Sequence, residues 1–189
     1  MSCRYKAVWP FRRSIRTLEK GKPMSEAIKR MTALEFRKLT PAAGEALAAL
    51  SQAVTASTLE PELVELVKLR ASQINGCAFC TQLHLNEARH KGVAAPKLDL
   101  LAVWREAGIF SEREKAALAW TEKLTRLSEN HISDEDYAAV AAQFPPAELA
   151  WLSAAIALIN TWNRIAAPFQ FAPPILRHPL PEVKETANA

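Results

Sequence analysis

The sequence of 189 residues contains only 5 glycines and 3 cysteines, and both shortages exclude classes of protein. An odd, low number of cysteines does not form the disulfide framework of a small secreted domain. No apolar run reaches the ~18 residues of a membrane-spanning helix, so we expect a cytoplasmic protein without a membrane partner. No segment alternates apolar and polar residues with the period of a strand. The length suits one domain with a substantial core.

The net charge of +4 is concentrated at the start of the chain. The first 23 residues carry about +6 and the remaining residues about −2, and Glu19 is the one acidic residue of the first group. The basic residues of this segment are Arg4, Lys6, Arg12, Arg13, Arg16, Lys20 and Lys22. Since the rest has no basic stripe, we expect no nucleic-acid partner. We interpret residues 1–23 as a disordered or non-native extension, with Met24 as the natural start. Cys3, which lies in it, has no assigned role.

Helix-capping residues and apolar residues at helical spacing divide the chain into about seven helices. The predicted helices run from Pro41 to about Thr55, from Pro61 to Asn75-Gly76, across a C-x-x-C pair to Gly92, from Pro96 to Gly108, from Ser111 to about Glu129, from Ser133 to about Gln143 and from Pro146 to near Pro168. Thr40, Ser111 and Ser133 are expected to cap three of them. The predicted fold is therefore all-α, with one helical domain over 24–171 and an extended or mobile proline-containing tail over 172–189.

The C-x-x-C pair is Cys77 and Cys80, and it follows the turn sequence Asn75-Gly76. Cys77 is thus placed at a helix start, where free backbone N–H groups and the helix dipole stabilise a thiolate. Cys80 lies one helical turn further on, so the two sulfur atoms are able to meet and form a reducible disulfide. The pattern predicts a redox-active dithiol.

His84 and Glu65 extend this site. His84 lies four residues after Cys80 and shares its helix face, so its imidazole is placed to accept a thiol proton. If the helices before and after Asn75-Gly76 pack back to back, Glu65 falls opposite residues 84–87 and orients the imidazole. Apolar neighbours predict that Glu65 is partly buried, with a raised pKa that allows proton exchange near pH 7.

The residues Glu65, Cys77, Cys80 and His84 together resemble the signature of the alkylhydroperoxidase D (AhpD) family, within the carboxymuconolactone decarboxylase-like superfamily. The resemblance implies an all-helical protein that assembles as a homotrimer or homohexamer. It implies that Cys80 is the peroxidatic cysteine, that Cys77 resolves the intermediate, and that His84 and Glu65 relay protons. One residue departs from this pattern, because Phe79 stands where better-studied members have a second histidine.

Two features of the sequence indicate different cysteines as the nucleophile. Position at the helix start favours Cys77, whereas the spacing to His84 and the family pattern favour Cys80, which we choose because a base within reach also protonates the leaving group. The expected activity is the reduction of hydroperoxides by the dithiol, without a bound cofactor or metal. A dithiol protein or a lipoyl carrier is the expected reductant.

Other functions remain open from the sequence. Cys77, Cys80 and His84 provide three potential zinc ligands, with Glu65 or His90 as a fourth. A decarboxylase-like enzyme of the same superfamily is a second alternative, although those members generally lack the C-x-x-C pair. A helical oligomer that senses oxidants through its dithiol is a third. Asn160, Trp162, Asn163 and Arg164 are candidates either for the site or for helix packing.

Overall fold

The computed structural model describes residues 28–175, and these form eight α-helices and one short 3-10 helix. The α-helices are α1 (Ala33–Leu39), α2 (Pro41–Thr55), α3 (Pro61–Ile74), α4 (Ala78–His90), α5 (Ala95–Leu100), α6 (Glu112–Thr125), α7 (Asp134–Ala141) and α8 (Pro146–Phe169), with the 3-10 helix at Leu101–Val103. No strand occurs within these residues, so the predicted all-α fold is confirmed. The predicted extension 1–23 and the tail beyond residue 175 lie outside the described residues.

Helix α3 is the centre of the fold. It packs against α4, α6 and α8, and it is buried on nearly every side. Apolar side chains such as Leu66 and Val67 fill most of its surface. Several of its polar residues have partners on neighbouring helices; Arg70, for example, forms an ion pair of 2.6 Å with Glu122 on α6. Because α3 ends at Ile74, three residues before Cys77, its position determines where the dithiol lies.

The capping residues mark most helix starts as the sequence predicts. Ser111 forms a capping box with Glu114, and Ser133 forms another with Asp136. Thr40 occupies the predicted N-cap position of α2, but its side chain makes no cap hydrogen bond and instead donates to the carbonyl of Phe36. That hydrogen bond belongs to the end of α1, a helix that the sequence did not predict.

Two other boundaries differ from the sequence prediction. The helix expected from Pro96 to Gly108 is broken, since α5 stops at Leu100 and only one 3-10 turn follows. The helix expected to reach Glu129 ends at Thr125. In contrast, α8 extends one residue past Pro168 and ends on Gln170 in a left-handed conformation. Within residues 28–175 no single helix is long and apolar enough to cross a membrane, and α7 and α8 pass that test only as a pair bent by 113°.

The turn between α3 and α4 has the hydrogen bonds of a Schellman motif. Gly76 has a φ of 63°, its N–H donates to Gln73, and the N–H of Cys77 donates to the carbonyl of Ser72 at 3.1 Å. A left-handed residue here costs little only if it is glycine, because other L-residues place Cβ too close to the backbone. The turn therefore fixes the distance between the end of α3 and the first residue of the dithiol.

We expect Gly76→Ala to lower the free energy of unfolding by about 1 kcal/mol, because alanine is strained at this φ. No heavy atom would lie within 4 Å of the added Cβ, so the cost comes from the backbone alone. Gly44→Ala is the matched control: Gly44 lies inside α2, its added Cβ is equally free of contacts, and alanine there should raise stability by up to about 1 kcal/mol. Urea unfolding of both variants measures the difference. Equal effects would contradict the role of the turn.

Candidate active site

The two cysteines lie together at the start of α4, and both are free thiols. Cys77 is the N-cap residue of this helix, and its sulfur accepts a hydrogen bond of 3.3 Å from the backbone N–H of Cys80. The two Sγ atoms are 2.6 Å apart. Both side chains are buried. The predicted proximity of the sulfur atoms and the predicted position of Cys77 at the helix start are therefore both found.

The two cysteines differ in the pKa of their thiols. The hydrogen bond from the Cys80 thiol, together with backbone N–H groups and the side chain of Asn163, lowers the pKa of Cys77 to about 6, although burial opposes this change. The same hydrogen bond, together with burial, raises the pKa of Cys80. The environment of the pair therefore favours negative charge on Cys77 and the proton on Cys80.

Glu65 and His84 are in direct contact, as the packing of α3 on α4 predicts. Glu65 Oε2 lies 2.7 Å from Nδ1 of His84, although the two residues are 19 positions apart in the sequence. Glu65 is only 2% exposed. Its other oxygen, Oε1, accepts from Lys91 at 2.8 Å and lies 3.4 Å from Lys68 Nζ. A single buried carboxylate thus joins α3 to the middle of α4, at His84, and to Lys91 directly after that helix.

The prediction that Glu65 has a raised pKa is wrong. Burial does raise it, but the hydrogen bonds from His84 and Lys91 and the charge of Lys68 outweigh burial and lower the pKa of Glu65 to about 2. Glu65 is therefore ionised near pH 7, and His84 donates its Nδ1–H to the carboxylate. This leaves Nε2 as the ring nitrogen able to accept or give a proton. The sequence did not indicate Lys91 as a partner of Glu65.

A cavity of about 620 Å³ opens beside this cluster, between α1, α2, α4 and α8. Cys80, His84 and Lys68 line it, whereas Cys77 lies behind Cys80 and does not. The remaining walls are mainly apolar and aromatic, and their largest side chains are Phe36, Phe79, Trp162 and Phe171. Of the two sulfur atoms, that of Cys80 is the one in contact with the space where a small molecule can bind.

Phe79 and α8 complete the surroundings of the dithiol. The Phe79 ring packs edge-on against Phe171 at 5.9 Å, so it forms part of the apolar cavity wall. Asn163 donates to Ser72 at 3.1 Å and its side-chain oxygen lies 2.9 Å from Nδ2 of Asn75. Asn163 therefore holds α8 against the turn and also contacts the sulfur pair. Of the four candidate residues on α8, Asn163 and Trp162 reach the site.

The other two candidates on α8 have structural contacts. Arg164 donates to the backbone and side-chain oxygens of Asn160, and Asn160 in turn bonds to Thr125 of α6. The zinc alternative finds no support, because no group of three or more His, Cys, Asp or Glu side chains between residues 28 and 175 is arranged to hold a metal ion. Within this cluster, Nδ1 of His84 is already bound to Glu65.

Comparison with known proteins identifies relatives of this fold and sequence. The pattern of the carboxymuconolactone decarboxylase family matches residues 41–123. The uncharacterized protein YdfG of Bacillus subtilis (strain 168) is 38% identical over 102 residues, which cover 54% of this chain and 69% of YdfG.

Two solved structures share the fold. ATU0492 of Agrobacterium tumefaciens, a protein of unknown function proposed to be the antioxidant defence protein AhpD, is 39% identical with a TM-score of 0.73. The match covers 77% of this chain and all of that one. An alkylhydroperoxidase AhpD core protein of Ralstonia eutropha JMP134 is 22% identical, with a TM-score of 0.65 over 73% of this chain and 74% of that one. With its all-helical fold and these relatives, the chain belongs to the carboxymuconolactone decarboxylase family, in its AhpD-like group.

Proposed function

We propose that this protein is a thiol-dependent peroxidase that reduces hydroperoxides with the dithiol Cys77–Cys80. The observation that supports this most strongly is the position of Cys80, which shares one cavity with His84 and lies 2.6 Å from a second sulfur. A nucleophilic sulfur, a base and a resolving thiol are the three groups that such a reaction requires. The AhpD-like relatives make the same chemistry plausible.

The first step is attack by Cys80. The proton of the Cys80 thiol moves to the Cys77 thiolate, and the resulting Cys80 thiolate attacks the terminal oxygen of the hydroperoxide. A sulfur–oxygen bond forms, the oxygen–oxygen bond breaks, and Cys80 becomes a sulfenic acid. The leaving alkoxide takes the proton that Cys77 received, passed on through Nε2 of His84. Glu65 remains ionised and holds the ring through Nδ1, so it orients the imidazole and does not carry the proton itself.

The second step closes the disulfide. Cys77, whose pKa is lowered to about 6, is then a thiolate again and attacks the sulfur of the Cys80 sulfenic acid. A sulfur–sulfur bond forms, the sulfur–oxygen bond breaks, and the leaving hydroxide takes a proton from solvent to become water. Two electrons have then passed from the dithiol to the peroxide. An external dithiol, on a carrier protein or a lipoyl group, restores the thiols, and assembly as a homotrimer or homohexamer is part of the same proposal.

We expect Cys80→Ser to abolish the consumption of dithiothreitol that depends on cumene hydroperoxide, because this substitution removes the nucleophile. Cys77→Ser should also stop turnover, but after one equivalent of peroxide it should leave a sulfenic acid on Cys80 that dimedone traps. Mass spectrometry of the trapped protein locates the adduct. Both variants are compared in a Cys3→Ser background, so that the third cysteine cannot react.

The opposite pattern would contradict the assignment of roles, namely a trapped sulfenic acid on Cys77 in the Cys80→Ser variant. Reversible oxidation of the parent protein without sustained dithiothreitol consumption would contradict the enzyme and favour an oxidant sensor. Near-stoichiometric zinc bound through the two cysteines in protein purified without added metal would contradict the redox function altogether.

We expect Glu65→Gln to lower peroxidase turnover at least tenfold, because an amide holds the imidazole less firmly and leaves Lys68 without its counter-charge. The same variant tests the pKa of Glu65. Since folding lowers this pKa from 4.5 to about 2, the carboxylate stabilises the protein above pH 4.5, and this contribution is lost as the pH falls towards 2. Urea unfolding between pH 7 and pH 2.5 should therefore show a smaller acid-dependent loss of stability in Glu65→Gln. Identical pH profiles would show that Glu65 is not the anion described here.

A further inference from the structure

The cavity beside Cys80 is positively charged. Its charged lining residues are the cations Lys68 and Arg37, and no Asp or Glu is among the described residues that line it. Arg37 is exposed on α1, at the outer part of the cavity, whereas the Lys68 side chain is only 7% exposed. Burying an ammonium group costs free energy unless an anion compensates its charge. The burial of Lys68 at this cavity wall therefore needs an explanation.

Glu65 compensates Lys68 only in part. Their atoms are 3.4 Å apart, and the same oxygen of Glu65 receives the shorter bond of 2.8 Å from Lys91. Lys68 and Lys91 carry two positive charges against the single negative charge of Glu65, so this group of three residues carries one net positive charge. One further anion would make it neutral. In contrast to Lys68, Lys91 does not line the cavity.

We propose that Lys68 supplies the positive charge that holds a thiolate on Cys80, the sulfur that faces the cavity. This inference rests on the proposed function only in naming Cys80 as the nucleophile. The step that needs it is the transfer of one proton from the Cys80 thiol to the Cys77 thiolate, which breaks one S–H bond, forms another and moves the negative charge toward the cavity. No oxidant or reductant takes part.

Without Lys68, the transfer of the proton from Cys80 to Cys77 is unfavourable. In the resting dithiol the backbone N–H of Cys80 stabilises charge on Cys77, and burial disfavours charge on Cys80. The other helices that line the cavity do not place a buried cation beside Cys80. Arg37 on α1 is remote at the exposed side, α2 and α8 contribute no charged residue to the cavity, and His84 on α4 is bound to the anion Glu65. Lys68 on α3 is the remaining buried cation of the cavity wall.

The test measures the titration of Cys80 alone, in full-length reduced protein with Cys3→Ser and Cys77→Ser. The rate of alkylation by iodoacetamide is recorded from pH 5 to pH 10, and the plateau at high pH reports access to the sulfur. We expect Lys68→Met to raise the midpoint by about one pH unit, and so to slow alkylation at pH 7 about tenfold, with an unchanged plateau. Lys68→Arg, which keeps the charge, should leave the midpoint close to that of the parent protein, with an alkylation rate at pH 7 within about threefold of the parent's. Lys68→Gln is the second neutral variant if Lys68→Met fails to fold.

Two further variants separate the explanations. Lys91→Met removes the other cation from Glu65, and we expect it to shift the midpoint less than half as far as Lys68→Met, because Lys91 lies outside the cavity. Lys115→Met, on the exposed surface of α6 and paired with Glu112, controls for a general change in charge and should leave the curve unchanged. The proposal is overturned if Lys68→Met leaves the midpoint unchanged or if Lys91→Met shifts it equally. Because no peroxide is used, a peroxidase-active Cys80→Ser variant would refute the proposed function and leave this result standing.

Discussion

The buried charge of Glu65 is the constraint on which the arrangement of the site depends. A carboxylate at 2% exposure is stable only if its oxygens are saturated by donors, and here His84, Lys68 and Lys91 provide them. Two of these donors lie on or directly after α4, so the ion pairs fix the rotation of α4 against α3. The orientation of His84, and with it the nitrogen available to the cavity, follows from this requirement.

The turn between the two helices supplies the second constraint, and it connects the fold to the reactivity of the dithiol. Gly76 closes α3 in a left-handed conformation, which leaves Cys77 in the N-cap position of α4. That position usually holds a Ser, Thr, Asp or Asn side chain, whose oxygen accepts from the first free N–H groups. Cys77 takes this role with sulfur, so the same hydrogen bond caps the helix and stabilises a thiolate.

The sequence was sufficient to predict features that depend on residues close together in the chain. It was insufficient for features that depend on side chains from several helices meeting at one place. Prolines, capping boxes and glycines located seven of the eight helices, and the short Asn75-Gly76 turn placed Glu65 opposite His84. The pKa of Glu65 was predicted in the wrong direction, because the approach of Lys68 and Lys91 to one oxygen is set by tertiary packing. The early end of α5, the short α1 and the contact of Asn163 with the sulfur pair depend on packing in the same way.

The two sulfur atoms also explain why helix position and spacing indicate different nucleophiles. The features that lower the pKa of Cys77 act at the helix start, while access to the cavity belongs to Cys80. Under the proposed mechanism these properties serve successive steps. A thiolate kept on the concealed Cys77 is protected from unrelated electrophiles, and it becomes able to attack a peroxide once the charge moves to Cys80. Once Cys80 is oxidised, the low pKa of Cys77 favours closure of the disulfide, so each cysteine has the environment that its own step requires.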